Sequence, residues 1–273
     1  MAFNTWSMYV DVTDSIACGS LEMMMVDAAF LPGRGTAMPP MPQRDWALFL
    51  DLDGTLLDIA TTPAAVVVPR DLIADLEAAA AALDGALAIV SGRDLHDIDQ
   101  LLAPLQLPAA GEHGAIVRLP GGLCDEVAIK VPNDWIEALL RLQQTCPGVL
   151  AEPKAHNIVA HFRNASAHEA TVRRVASELV SRDPASFELL EAKMAVEIRP
   201  RAVTKARAVQ CLMKVEPFLG RVPVFVGDDA TDYDGFGAAI EYGGIALDVA
   251  HAFAGRPNQV RAWLKRVAEV AAP

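Results

Sequence analysis

Basic residues are scarce in this chain. Lys and Arg number 23 against 35 Asp and Glu, a net charge of -12. A general nucleic-acid binder needs clustered cations to meet the phosphate backbone, so that class is disfavoured. An anionic small molecule remains admissible if cations gather locally. Cysteine is also sparse: Cys18, Cys124, Cys146 and Cys211 form no CxxC pair, so neither a zinc ribbon nor a redox dithiol is signalled. Four scattered thiols suit a reducing cytoplasm better than a disulfide scaffold. No uncharged apolar run reaches the roughly 18 residues of a membrane span. The first 33 residues hold no Lys or Arg, so no secretory n-region is expected.

What is present is a core-forming chain. Its 273 residues are 52% hydrophobic, enough for one large domain or two ordinary ones. The informative stretch is Trp46–Thr55. Ala47–Leu50 reads as a buried strand, and it ends in Asp51 and Asp53, then Gly54 and Thr55. Buried strands deliver their C-terminal residues to the edge of an α/β sheet, where ligands bind. One acid there would suffice as a helix cap, so two call for metal or phosphoryl chemistry.

Residues 1–44 read as an irregular extension, and Met38 is a candidate biological start. From there Arg70–Leu83 is predicted helical, Ala86–Val90 a strand ending in Ser91-Gly92-Arg93, Asp94–Leu102 a helix and Pro108–Ala110 a strand. That β-α-β-α-β order predicts a parallel sheet with right-handed crossovers. The pattern then changes. Ala115–Leu119 and Glu126–Val131 alternate and could pair across Gly121-Gly122. Helices at Asp134–Thr145 and Ala167–Arg182 mix with strands at Leu150–Glu152, Ile158–Arg163, Phe187–Leu190 and Ala195–Arg199. On Ile158–Arg163, Ile158, Ala160 and Phe162 share one face, opposite His161 and Arg163. Parallel character resumes with a helix at Thr204–Val215, a strand at Val222–Val226 that ends in Gly227-Asp228-Asp229, a helix, a last strand and a closing helix. The expected fold is a doubly wound parallel α/β core, residues 45–114 and 201–273, with an inserted α+β domain, residues 115–200.

Three strand ends thus carry Asp51 with Asp53, Ser91, and Asp228 with Asp229. A parallel sheet brings such ends to one edge. Three carboxylates there require a cation, and an all-oxygen set suits magnesium.

Asp51-Leu52-Asp53-Gly54-Thr55 resembles the first motif of the haloacid-dehalogenase-like phosphotransferases, and Ser91, Lys205 and Gly227-Asp228-Asp229 fall where the other three should. Val90–Arg93, the Gly-x-His-Gly-Ala at 111–115, Glu152-x-Lys154, His161–Arg163, Glu197–Pro200 and Gly-Asp-Asp-x-Thr-Asp at 227–232 further resemble the trehalose-6-phosphate phosphatases, in the right order. The resemblance implies a phosphatase releasing trehalose through an aspartyl phosphate. Asp51 would be nucleophile and Asp53 acid then base. Magnesium would be held by Asp51, the Asp53 carbonyl and Asp228. Ser91 and Lys205 would hold the phosphoryl group, with Asp229 and Asp232 orienting Lys205 or metal-bound water. Gly92, Arg93, His113, Glu152, Lys154, Arg163 and Glu197 would meet the substrate. A cytoplasmic monomer with a small sugar-phosphate substrate follows, any partners in trehalose synthesis being transient, with no nucleic acid and no membrane. The chain departs from the family at Ile116, Ala155, Ala202, Ala206 and Tyr233. Related phosphatases of sucrose phosphate or mannosylphosphoglycerate, and a silent sugar-phosphate sensor, are the alternatives; a sensor would have no need of Asp53.

Overall fold

The structure is a computed structural model, and it describes residues 38–60, 65–192 and 194–270. Most of the expected N-terminal extension lies outside the described residues. Strand β1 (Trp46–Leu50) has all five residues buried. A continuous apolar strand is suited to the middle of a sheet covered on both faces. Helix α1 (Leu72–Ala82), β2 (Leu87–Val90), α2 (Leu95–Leu102) and β3 (Ala109–Gly111) follow. Asp94 starts α2 by accepting the Asp97 amide at 2.7 Å. After a short 3-10 turn, Glu112–Gly114, come β4 (Ile116–Arg118) and β5 (Cys124–Glu126).

The next segment holds α3 (Asn133–Thr145), β6 (Leu150–Pro153), β7 (Ile158–His161), α4 (Glu169–Val180), β8 (Phe187–Ala192) and β9 (Ala195–Pro200). The chain then returns through α5 (Lys205–Leu212), β10 (Val222–Gly227), α6 (Asp232–Glu241), β11 (Ile245–Asp248), α7 (Val249–Ala252) and α8 (Pro257–Glu269). Among the described residues, no helix is long and apolar enough to cross a membrane.

Two sheets result. The first has seven strands in the order β11-β10-β1-β2-β3-β4-β5, and the second has four in the order β6-β7-β9-β8. Strands β11 through β3 are parallel. From β1 the chain winds outward through β2 and β3, then returns to the other side of β1 through β10 and β11. The reversal lies between β1 and β10, and it is there that doubly wound sheets bind ligands. Leu50 pairs with Val226, and the Asp51 amide donates to the Val226 carbonyl at 2.9 Å. Asp51 therefore stands beside the Gly227-Asp228 end.

The strand pairing shifts one expected boundary. Strands β4 and β5 add antiparallel to β3, so the first sheet extends through Glu126 rather than stopping at residue 114. The second strand of that hairpin is also earlier than the alternation at Glu126–Val131 suggests. Gly121 and Gly122 both take positive φ and make the turn short, and this sets the register ahead of the side-chain pattern.

The second sheet is wholly antiparallel. Ile158, Ala160, Phe162, Val196 and Ile198 pack with Trp135, Leu139, Val172, Ala176 and Leu179 of α3 and α4. All six residues of β9 are buried, so its other face, which carries Glu197 and Arg199, is covered too. His113 and Asp234 of the first sheet's layer lie within 3.8 Å of Glu197 and 3.9 Å of Arg199.

Gly235 sets how closely α6 rides on β10. A Cβ there would lie 2.4 Å from the Phe225 ring, and that ring is fully buried against Phe49 and Phe236. Gly235→Ala should gain about 1 kcal/mol of helix propensity yet lose more to overpacking, for a net destabilisation of about 1–2 kcal/mol. Urea unfolding would measure it; a more stable variant would show that the α6–β10 spacing is slack.

Candidate active site

The site is built on the β1–β10 edge. Asp51 and Lys205 are 5% and 2% exposed. The Thr204 hydroxyl caps α5 by accepting the Arg207 amide, which puts Lys205 in the first turn, where the helix dipole disfavours a cation. Two carboxylates offset that: Lys205 Nζ donates to Asp51 Oδ1 at 2.7 Å and to Asp232 Oδ1 at 2.6 Å. The other oxygen of Asp232 accepts the amides of Asp228 and Asp229, each at 3.0 Å. Gly227 makes room for this, since a Cβ there would fall 2.2 Å from Asp232 Cγ. Asp228 Oδ1 accepts from the Thr55 hydroxyl at 3.2 Å. Gly54 lies against the same carboxylate with φ +87°, and a Cβ at that position would be 2.1 Å from Asp228 Oδ2.

Four carboxylates thus crowd one ammonium. Burial, opposed by Lys205, pushes Asp51 up to about 6. Burial and the neighbouring Asp229 and Asp232 raise Asp228 to about 6. Burial and Asp51 take Asp232 to about 7. Burial would lower Lys205, but Asp51 and Asp232 outweigh it and hold the ammonium above its ordinary range. Asp229 stands at the exposed rim of the site; partial desolvation raises its carboxyl, but Lys205 and Thr231 outweigh that and keep it low. Burial together with mutual repulsion thus raises Asp51, Asp228 and Asp232, the imbalance that an added positive charge would relieve.

A cation would fit that deficit. Asp51, Asp228 and Asp232 offer oxygens that all lie within 4.8 Å of one another. Asp232 has both oxygens taken and is fully buried, so it is a brace. Asp51 and Asp228 remain to face the ion, and an all-oxygen donor set suits a hard divalent cation. The Asp53 carboxylate is engaged elsewhere: Arg93 grips it with Nε to Oδ2 at 2.6 Å and Nη2 to Oδ1 at 2.7 Å.

The remaining expected residues divide into two groups. Ser91, Gly92, Arg93 and His113 come together. The Arg93 amide donates to Ser91 Oγ at 3.2 Å, and the His113 amide donates to the Ser91 carbonyl at 2.9 Å. A Cβ on Gly92 would meet the His113 ring at 2.6 Å. Burial, then Lys205, Arg199 and Lys154, push His113 down to about 3, so the ring is neutral at ordinary pH. From the second sheet, Glu197 reaches within 3.8 Å of His113 Nε2, and Lys154 Nζ donates to the Gly92 carbonyl at 3.2 Å. Burial raises the Glu197 carboxyl, although Lys154 and Arg199 oppose it.

Glu152 and Arg163 are not drawn in by these contacts. Glu152 bonds His161 Nε2 at 3.0 Å on a more open part of the second sheet. Arg163 lies in the turn after β7, exposed, so it does not alternate with His161 on a strand face as expected. Strand β7 ends at His161 because the Ala165 amide turns back onto the Phe162 carbonyl.

Several residues at the site escape sequence reasoning. Thr55 is visible only as part of its motif. Asn157, 1% exposed, donates to Glu197 Oε1 at 2.5 Å. Arg199 is buried and pairs with Glu188 at 2.8 Å. Glu112 is buried and accepts two amides of the second sheet. Each depends on a partner at least 11 residues away, which no local spacing announces.

Comparisons with known proteins give the family. Residues 49–260 match the trehalose-phosphatase family model. The chain is 34% identical over 239 residues to the trehalose-6-phosphate phosphatase of Escherichia coli K12, covering 81% of this chain and 86% of that one. It is 38% identical over 206 residues to a probable trehalose-phosphate phosphatase of Sinorhizobium fredii, covering 75% and 78%. The fold resembles the C-terminal domain of the Candida albicans trehalose-6-phosphate phosphatase, with TM-score 0.68 at 20% identity over 84% of this chain and 93% of that one. A Synechocystis sucrose-phosphatase shares the fold with TM-score 0.53 at 16% identity over 77% and 84%. With the family model spanning both sheets and every strand end of the site, the chain belongs to the trehalose-phosphatase family.

Proposed function

We propose that this chain is a magnesium-dependent phosphatase that hydrolyses trehalose 6-phosphate to trehalose and phosphate. The observation that carries the reading is Asp51, buried at the switch point, with Lys205 on one oxygen and Asp228 beside it. The named relatives supply the substrate: two act, by name, on trehalose phosphate. Fold alone would not choose the sugar, since a sucrose-phosphatase shares it.

In this reading a carboxylate oxygen of Asp51 attacks phosphorus as the bond to the sugar oxygen breaks. Asp53 protonates the departing oxygen, leaving an aspartyl phosphate. Asp53 then takes a proton from water as that water attacks phosphorus and frees Asp51. Lys205 holds Asp51 in place and is the cation for the phosphoryl oxygens, with Asp232 fixing the ammonium. Ser91 offers a hydroxyl to the same group. Asp51, Asp228 and the Asp53 carbonyl would hold magnesium, which when bound offsets carboxylate–phosphate repulsion.

Neutral His113, Glu197 and Lys154 converge from the two sheets and read sugar hydroxyls; Glu152 and Arg163 stand outside that cluster and are weaker candidates for the same role. Arg93, which grips Asp53, contributes to substrate binding from the first sheet. A monomer in the reducing cytoplasm suits free thiols at Cys124, Cys146 and Cys211.

Phosphate release from a panel of sugar phosphates tests this. Trehalose 6-phosphate should exceed glucose 6-phosphate and sucrose 6-phosphate in kcat/KM by about 100-fold or more. Equal values would leave a phosphatase without disaccharide specificity. EDTA should abolish turnover and added magnesium restore it; full activity in EDTA would remove the metal from the reading. Asp51→Asn should lower kcat by about 1000-fold or more while sugar-phosphate binding stays measurable by calorimetry. Near-normal turnover in that variant would rule out the covalent route.

A further inference from the structure

Glu112 is a buried carboxylate that this mechanism does not use. Its side chain is 2% exposed, and a carboxylate so placed must find donors. It finds two consecutive backbone amides across the gap between the sheets. Ala155 donates to Oε1 at 3.3 Å and His156 donates to Oε2 at 3.0 Å. Successive amides turned toward one anion form a compact anion-binding concavity.

The segment so gripped is the turn between β6 and β7. Within it the Lys154 amide donates to the Asn157 carbonyl at 2.9 Å. Its other polar groups also reach the first sheet. Lys154 Nζ meets the Gly92 carbonyl, and His156 Nε2 lies 2.9 Å from Glu126 Oε1 at the end of β5. At the far end of the turn, Asn157 donates to Glu197. One short turn thus carries Lys154 and supports Glu197.

The main chain of Glu112 is equally constrained. Glu112 and His113 have φ of 48° and 57°, a sparsely populated region for residues other than glycine. Their amides donate to the carbonyls of Arg93 and Ser91, at 2.8 and 2.9 Å. This dipeptide therefore braces the Ser91–Arg93 loop with its backbone and the Lys154–Asn157 turn with its side chain.

We propose that Glu112 is a positioning residue: its carboxylate clamps the Lys154–Asn157 turn onto the first sheet and so sets where Lys154 and Glu197 stand over the substrate. The clamp needs no substrate; its effect on turnover rests on the reading of those two residues as sugar contacts.

Two measurements test the two halves. In Glu112→Ala, hydrogen exchange at the Ala155 and His156 amides should quicken by about tenfold or more while circular dichroism stays native. Unchanged protection overturns the clamp. If that variant does not fold, Glu112→Gln carries the test: with one acceptor oxygen it should release at least one of the two amides, and full protection of both overturns the clamp. In kinetics, Glu112→Gln should raise KM for trehalose 6-phosphate about 5- to 20-fold, with a smaller change in kcat. Added to the double variant Lys154→Met/Glu197→Gln, it should cost little more, because it acts through those two residues. Additive losses overturn the positioning role. A wild type inactive on trehalose 6-phosphate would overturn the functional reading, and the exchange measurement would still decide the clamp.

Discussion

One buried ammonium holds the catalytic edge together. Lys205 is shared by Asp51 from the end of β1 and Asp232 from the start of α6. Removing it would leave two carboxylates buried without a counter-charge, a loss typically of about 3–5 kcal/mol. The contact also joins three elements that are remote in sequence. Asp232 in turn organises the β10 loop by accepting the amides of Asp228 and Asp229. The direction of Asp228 thus depends on Asp232, which depends on Lys205, and the same lysine orients Asp51. Two absent side chains let these groups approach: a Cβ on Gly227 would strike Asp232, and one on Gly54 would strike Asp228. The arrangement overfills the edge with negative charge. That is a poor way to stabilise a fold and a good way to receive a cation together with a phosphoryl group.

Much of this edge was legible in the sequence, for a physical reason. A parallel strand covered on both faces is an unbroken apolar run, so its last residue is easy to find. Asp51, Ser91 and Asp228 follow three such runs, and parallel pairing brings all three to one side. Lys205 is less obvious from spacing, because a lysine in a helix's first turn is an ordinary surface residue. Here it is 2% exposed, and only the carboxylates it meets explain its place.

The second sheet was harder to read. Alternation on β7 correctly separated Ile158, Ala160 and Phe162 from the opposite face. It failed at Arg163, because a backbone turn ended the strand at His161. The change of pattern after residue 114 places the hairpin of β4 and β5 in the insertion, but its pairing partner is β3. Alternation tells which face a residue occupies and says nothing about which strand lies alongside. Glu112, Asn157 and Arg199 were passed over for a related reason. A charged or amide side chain is usually solvated; Glu112 and Asn157 lie beside turns and are covered where the two sheets meet, and Arg199 lies within β9, paired with Glu188 of the neighbouring strand.

Reaction and selectivity therefore depend on different parts of the chain. The carboxylates on the first sheet would serve any phosphate monoester, and a sucrose-phosphatase uses the same fold. On the proposed reading, choice of sugar comes from side chains that face this edge from the second sheet, and β9 is placed to supply them. Its inner face is carried by a six-residue strand that is buried throughout. Glu197 on that strand is tied to Asn157 on one side and approaches His113 on the other. A small shift between the sheets would leave Asp51, Lys205 and Asp228 untouched, since all three sit on first-sheet elements. The same shift would separate Glu197 from His113 and Lys154 from Gly92. If Glu197 and Lys154 meet the sugar as proposed, specificity follows from how the two sheets are joined, because the contacts that join them run through those same residues.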